Sequence, residues 1–380
     1  MIFSKTAKKT AMLATSALII STIYPSLASA QDATIKVGGR VMIDYTIADF
    51  KNPDFSIQDS EIRRARLLAS GSYGSSVKYK FEINKSSGDS VELTDAYVEF
   101  APQDRNFKVK VGQFKTHNSF EEETSSRFIS TIERGAFTDA FQLDRRVGVS
   151  VSTSGENYGI NLGIFGANLE AESGPEEGYA LAGRGYYNPI KTNDSVVHLG
   201  ASWRYREQGA SQSALRYRQR PYSHIAPSRI VDTGGFAGSD NFYGAEVAVL
   251  KDNIWVTGEY AILSANGMGA NPSADFSGGY MEAGIMFGGK KTYKGGKFNR
   301  PKVDKPLGDG GMGALALVAR YDTLDLQDGP YLGKLDTIVL GADWWATKQT
   351  RLGLNYFNVE AENGSTESGS GIVGRLSFDF

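Results

Sequence analysis

Leu215 to Arg229 reads LRYRQRPYSHIAPSR and carries Arg216, Arg218, Arg220 and Arg229. In an extended segment, side chains two residues apart share a face, so Arg216, Arg218 and Arg220 would project in one direction. Neighbouring guanidinium groups about 7 Å apart repel by roughly 0.6 kcal/mol in bulk water, and about four times that at an effective dielectric near 20. Such a row is unfavourable unless water screens it or anions visit it. Arginine keeps its charge and offers a planar fork of donors that matches phosphate or carboxylate. The plainer reading of the segment alone is a solvated basic loop, so the rest of the chain has to decide between the two.

Composition narrows the choice. The chain has 380 residues, no cysteine and a formal charge of −2. Cysteine chemistry, disulfides and cysteine metal sites are excluded, and the near-neutral balance is not that of a bulk nucleic-acid binder. Residues 1–30 have the form of a secretory signal peptide. Lys5, Lys8 and Lys9 precede a short apolar run, and Ala28-Ser29-Ala30 closes it. Removing that segment leaves 38 Lys and Arg against 43 Asp and Glu, a charge of −5. The expectation is an exported protein, either soluble outside the cytoplasm or a barrel in an outer membrane.

The elements that must position the arginines have a period of two. Ile35, Val37, Val41, Ile43 and Tyr45 alternate with polar residues and glycines. Val77, Tyr79, Phe81 and Ile83 do the same, as do Val197, Leu199, Ala201, Trp203 and Tyr205. One apolar and one polar face per strand suits a barrel with lipid outside and water inside. Strands are predicted near 34–45, 61–71, 77–84, 92–100, 107–114, 146–153, 158–165, 179–187, 196–206, 242–250, 254–263, 278–287, 313–322, 335–345, 351–359 and 372–380. That is an even number, as a closed bacterial barrel requires. Short and long connections alternate, and the chain ends in Phe380 with Leu376 and Phe378 at the same parity. The predicted fold is all-β, a 16-stranded antiparallel transmembrane β-barrel over residues 31–380.

A lipid-facing arginine near the midplane costs roughly 2–4 kcal/mol, so strand arginines belong in the lumen or at the rim. Arg40, Arg64 and Arg66 fall on polar faces, whereas Arg63 has the opposite parity to Arg64 and predicts a strand–loop junction there. Residues 115–145 are the candidate constriction loop, with a solvated external loop as the alternative. Residues 207–241 form the loop carrying the arginine row. Residues 288–312 break the short–long alternation and carry Lys290, Lys291, Lys294, Lys297, Arg300, Lys302 and Lys305. On the periplasmic side they would be either a basic vestibule, drawing anions by their field, or an exposed solubilising loop.

Taken together, these residues resemble the phosphate-selective porins O and P, over essentially the whole mature chain. The resemblance is carried by Glu61-Ile62-Arg63-Arg64-Ala65, Gly112-Gln113-Phe114, Thr124-Ser125-Ser126 and Glu133-Arg134. Val196-Val197-His198-Leu199-Gly200, the RYRQR row and Arg320-Tyr321-Asp322 complete it. It implies a homotrimer of sixteen-stranded barrels with an arginine ladder leading to a narrow central site and lysines on the periplasmic side. By motif, Arg216, Arg218 and Arg220 correspond to ladder residues, Arg63, Arg64 and Arg134 to the constriction, and Arg40 to the same lining. Lys294, Lys297 and Lys302 represent the periplasmic cluster. The chain departs from the family at four places. His224 stands where the ladder has an arginine, with Arg229 as its substitute; Glu122 stands where the central site has a lysine; Arg66 and Lys115 replace aromatic residues.

The function so implied is passive, anion-selective diffusion of phosphate or related small anions across an outer membrane, without cofactor, metal or nucleic acid, in contact with lipid and lipopolysaccharide. The alternative is a general, polyphosphate or organic-anion porin of weak phosphate selectivity. An outer-membrane hydrolase is the rival from another class. It needs a nucleophile with a positioned base, and only His117, His198 and His224 are available, none in such a context.

Overall fold

The computed structural model describes residues 33–86, 90–169, 177–210 and 212–380. The signal-peptide expectation for residues 1–30 lies outside the described residues. In chain order the strands begin with β1 (Ala33–Phe50), β2 (Ile57–Tyr73), β3 (Val77–Lys85), β4 (Val91–Phe100), β5 (Phe107–Lys115) and β6 (Arg145–Ser154). Next come β7 (Tyr158–Phe165), β8 (Tyr179–Lys191), β9 (Ser195–Glu207), β10 (Leu215–Gln219), β11 (Val231–Lys251) and β12 (Ile254–Gly267). The chain finishes with β13 (Ala274–Phe287), β14 (Gly289–Tyr293), β15 (Phe298–Val303), β16 (Ala314–Asp325), β17 (Lys334–Trp345), β18 (Thr350–Glu362) and β19 (Thr366–Asp379). Two short helices, α1 (Phe120–Glu123) and α2 (Ala136–Ala140), lie between β5 and β6.

All of these except β10, β14 and β15 form one closed antiparallel barrel of sixteen strands, the predicted architecture. β1 closes it, with Val41 opposite Ala65 of β2 and Ile43 opposite Leu376 of β19. β9 meets β11 with Leu199 opposite Val247, and β10 pairs with the outer part of β11. Leu67, Leu162, Met281 and Leu340 are among the large apolar side chains left exposed on the outward face, each more than half accessible. Such a band has no place in water and is what a lipid bilayer covers. The inward face of the barrel wall buries Arg184, Glu246, Glu282, Arg320, Arg351 and Arg375.

Several strands run further at the long-loop end than their alternation predicts. β1 continues to Phe50, β18 to Glu362, and β19 starts at Thr366. Beyond the lipid band a strand needs only its ladder of backbone hydrogen bonds, so sequence such as the polar, glycine-containing start of β19 extends it without alternating. For the same reason the 207–241 connection is not all loop: residues 215–219 are β10, and from Val231 the chain is already β11.

Between β5 and β6 the chain runs inside the barrel. Wall side chains satisfy its backbone as it crosses. The Glu259 carboxylate accepts the N–H groups of Phe120 and Glu121 (2.8 Å each), Asn355 Oδ1 that of Ile132 (2.7 Å), and Asp322 that of Ala136 (3.1 Å). On the β11–β19 side, Phe137 and Phe141 of the loop and Tyr217 of β10 join Phe242, Phe276, Leu324, Val339 and Phe357 in one apolar cluster. That half of the lumen is packed shut.

The connection after β13 also turns inward. Gly288, at φ +73°, lets the chain double back, since a Cβ there would sit 2.9 Å from the Gly313 carbonyl. β14 and β15 then pair as a hairpin whose tip is Lys294-Gly295-Gly296-Lys297, both glycines having positive φ. Tyr293 Oη lies 2.7 Å from His198 Nδ1, and the Phe298 ring packs edge-on against Phe120 with centroids 4.9 Å apart. The exposed solubilising loop is therefore not what forms; the hairpin docks against the inserted loop.

The Lys291 ammonium lies 4.1 Å from the Phe298 ring centre and 4.8 Å from that of Trp255. Loss of water there, partly countered by Glu282, brings its pKa down from about 10.5 to about 8. Between those values the docked hairpin binds fewer protons than the released one, so docking strengthens as pH rises through that window. Lys291→Met is expected to abolish this pH dependence and to slow amide exchange over residues 289–303 at pH 7. Unchanged exchange would contradict it.

Candidate functional site

What remains open is a cavity of about 1070 Å³ along one side of the barrel. Its wall comes from β1 to β6, from Arg40 to Arg145, and its other side from the inserted loop, the 220–229 segment and the hairpin tip. Fourteen Lys and Arg face it against eight Asp and Glu, an excess of six positive charges. The contrast with the chain's formal charge of −2 makes the pore an anion-attracting region in a protein that is acidic elsewhere.

Both Arg63 and Arg64 line the cavity. The pairing shifts between Met42 and Ile43 of β1, which oppose Arg64 and Ile62 of β2, so Arg63 is the extra residue of a β-bulge. The expected strand–loop junction is thus corrected: a bulge, not a loop, lets adjacent side chains share one face. Arg63 makes a bidentate pair with Glu133 (3.1 Å for each bond). Arg40 and Arg66 share Glu82, at 3.2 and 2.7 Å. Arg64 is buried against Met42 Sδ and has no carboxylate within 4 Å among the described residues.

In the inserted loop, Arg134 Nε lies 3.1 Å from Glu122 Oε2, and its other bonds go to the carbonyls of Glu121 and Thr124. Lys115 Nζ reaches Glu122 Oε1 at 2.9 Å and also bonds the Glu122 carbonyl. Burial would raise the Glu122 pKa, but Arg134 and Lys115 outweigh it and hold this carboxyl below its ordinary value. It is ionised at neutral pH.

The arginine row divides. In β10, Leu215, Tyr217 and Gln219 are buried while Arg216 and Arg218 are exposed. Tyr217 Oη bonds Asp240 of the wall (3.0 Å), so the arginine face points away from the wall. Arg216 pairs with Asp232 (2.5 Å), and neither it nor Arg218 lines the central cavity. Arg220, just past the strand, does line it and meets no carboxylate within 4 Å among the described residues. Arg229 lines it paired with Asp139 (2.5 Å), and His224 lies beside Glu61 (2.9 Å). At the hairpin tip Lys297 reaches Glu123 (2.9 Å) and Lys294 is exposed to the cavity. Lys302 stands at the hairpin's base, paired with Asp304 at 3.0 Å and away from the cavity.

Lys80, Lys110, Arg127 and Arg145 also line the cavity. The inward parity of Lys80 and Lys110, each between apolar neighbours, is a signal that identifies them. Asp95 ties Lys80 and Arg145 together (2.5 and 2.6 Å).

A closed barrel with an apolar outer band and a charged aqueous lumen defines an outer-membrane porin, a passive channel rather than an enzyme. More narrowly, the chain belongs to the phosphate-selective porin O and P family, whose model matches residues 35–380. It is 33% identical over 372 residues to an uncharacterized protein of Caulobacter vibrioides, covering 92% of this chain and 74% of the relative. Porin O of Pseudomonas aeruginosa is 23% identical over 406 residues, covering 92% and 89%. Among solved structures, the anion-selective porin from Comamonas acidovorans superposes with a TM-score of 0.55 at 12% identity, covering 91% of this chain and 100% of that one.

Arg134 holds the loop with every bond it makes, so its removal tests architecture. Arg134→Ala leaves Glu122 with one cation and is expected to loosen the loop by about 3 kcal/mol, read as faster proteolysis within residues 116–144. Wild-type resistance would show that the loop does not depend on it.

Proposed function

We propose that the protein passes small anions, phosphate among them, down their gradient, and that it works as a homotrimer embedded in lipid and lipopolysaccharide. The observation that carries this reading is the excess of six positive charges around the cavity. Eleven of the fourteen cations have a carboxylate within 4 Å and contribute mainly through their field. Arg220, Arg64 and Lys294 have none among the described residues, and lie respectively on the segment after β10, on the wall and at the hairpin tip. Each offers donors that exchange for an anion's water in turn, and several moderate stations admit and release an ion faster than one strong site. The family's name and the anion selectivity of the Comamonas porin support the reading. The extensive pairing favours a second one, a general or polyphosphate and organic-anion porin with weak phosphate preference.

Single-channel recording in planar bilayers under a KCl gradient separates the two. The first reading expects a reversal potential on the chloride side and block of chloride current by phosphate. It also expects Arg64→Ala to weaken that block about tenfold or more, since a charge-assisted hydrogen bond contributes about 1.5–3 kcal/mol. Chloride preference without phosphate block supports the second reading. A reversal potential on the potassium side overturns both.

A further inference from the structure

The inserted loop is itself acidic. Residues 116–144 carry Glu121, Glu122, Glu123, Glu133, Asp139 and Asp144 against Arg127 and Arg134. Their partners differ in a way that assigns different work to each. Glu121 turns away from the cavity to the buried Arg320, and Glu133 spends part of its charge on the buried Arg375. Glu123 reaches Lys297 and His117, and Asp139 reaches Arg229. Among the loop's carboxylates, Glu122 is the one clasped by two Lys or Arg side chains that both face the cavity: Lys115 at 2.9 Å and Arg134 at 3.1 Å.

A carboxylate between an ammonium and a guanidinium has the arrangement a bound anion would have. We infer that Glu122 acts as a tethered resident anion, occupying Lys115 and Arg134 so that they steer permeating anions without trapping them, and that it is the residue setting the pore's anion affinity. The inference rests on the anion-channel reading above and adds a specificity-determining residue to it. The clasp is also not the loop's sole support at this point. Ser119 Oγ accepts the Glu122 N–H (3.1 Å), Lys115 keeps the Glu122 carbonyl, and Arg134 keeps the carbonyls of Glu121 and Thr124. Neutralising the carboxylate therefore frees charge without removing the loop's other bonds.

Glu122→Gln tests this in the full-length protein, in planar bilayers with phosphate titrated into KCl. The half-blocking phosphate concentration is expected to fall about tenfold, one regained charge-assisted contact, and the reversal potential to move further toward chloride. A merely loosened loop would shift both the other way, so the sign discriminates. If the glutamine variant does not assemble, Glu122→Asp keeps the charge but withdraws it by one methylene, and is expected to move block in the same direction by a smaller factor. An anion-selective wild type with unchanged or weakened block in whichever variant assembles overturns this inference and leaves the channel reading standing. A wild type on the potassium side overturns the channel reading itself.

Discussion

Everything inside this barrel depends on pairing between guanidinium groups of the wall and carboxylates of the loop that crosses it. Arg375 binds Asp44 of β1 (2.6 Å), the Ile132 carbonyl (2.6 Å) and Glu133 (2.8 Å), joining two wall strands to the loop through one side chain. Arg320 does the same between Glu282 of β13 and Glu121, and Arg351 between Asp343 of β17 and the carbonyls of Ile129 and Ser130. An arginine cannot face lipid cheaply, and a buried one without a partner is strongly destabilising. Wall arginines on the dry side therefore require the loop, and the loop's orphan carbonyls require them. Removing either partner leaves the other uncompensated.

The position of the pore follows. Loop, β10 and wall close the β11–β19 side with an apolar cluster and buried ion pairs, so water and ions are left with the β1–β6 side. There the cations outnumber the anions, and a few are unmatched. Pairing in that region attenuates charge as well as holding the loop in place. Glu82 is shared by Arg40, Arg66 and Lys80, which spreads one negative charge over three cations and leaves a positive field. The hairpin completes the lumen from the short-turn end, bringing Lys294 and Lys297 to the cavity through contacts of Tyr293 and Phe298 together with the pair between Lys297 and Glu123.

Legibility in the sequence varied with the range of the physics involved. Arg40, Arg64, Arg66 and Lys115 were readable from parity or position, because a strand's alternation decides locally which side chains face water. Arg63 was not, because a β-bulge depends on the register of the partner strand. The off-pattern connection is legible as basic and exceptional in length. Its Lys-Gly-Gly-Lys centre, a two-residue hairpin signal, points to the turn but not to insertion into the lumen. Lys302 and Lys294 are alike in sequence and opposite in placement, one at the base beside Asp304 and one at the tip.

The sequence by itself determined that this chain is a sixteen-stranded outer-membrane barrel, because period-two hydrophobicity, turn spacing and the cost of a lipid-facing charge act within a single strand; its likeness to the porins O and P rests instead on short motifs in order along the chain. It also determined which residues had the chemistry to meet anions. Only the tertiary structure decided which of those cations stay free. Arg134 is consumed by the loop it stabilises, Arg216 by Asp232, and Arg63 by Glu133, while Arg64, one residue from Arg63, meets no carboxylate within 4 Å among the described residues. Free charge is a property of pairs, and these pairs join residues as far apart in the chain as Asp44 and Arg375. No local pattern records them.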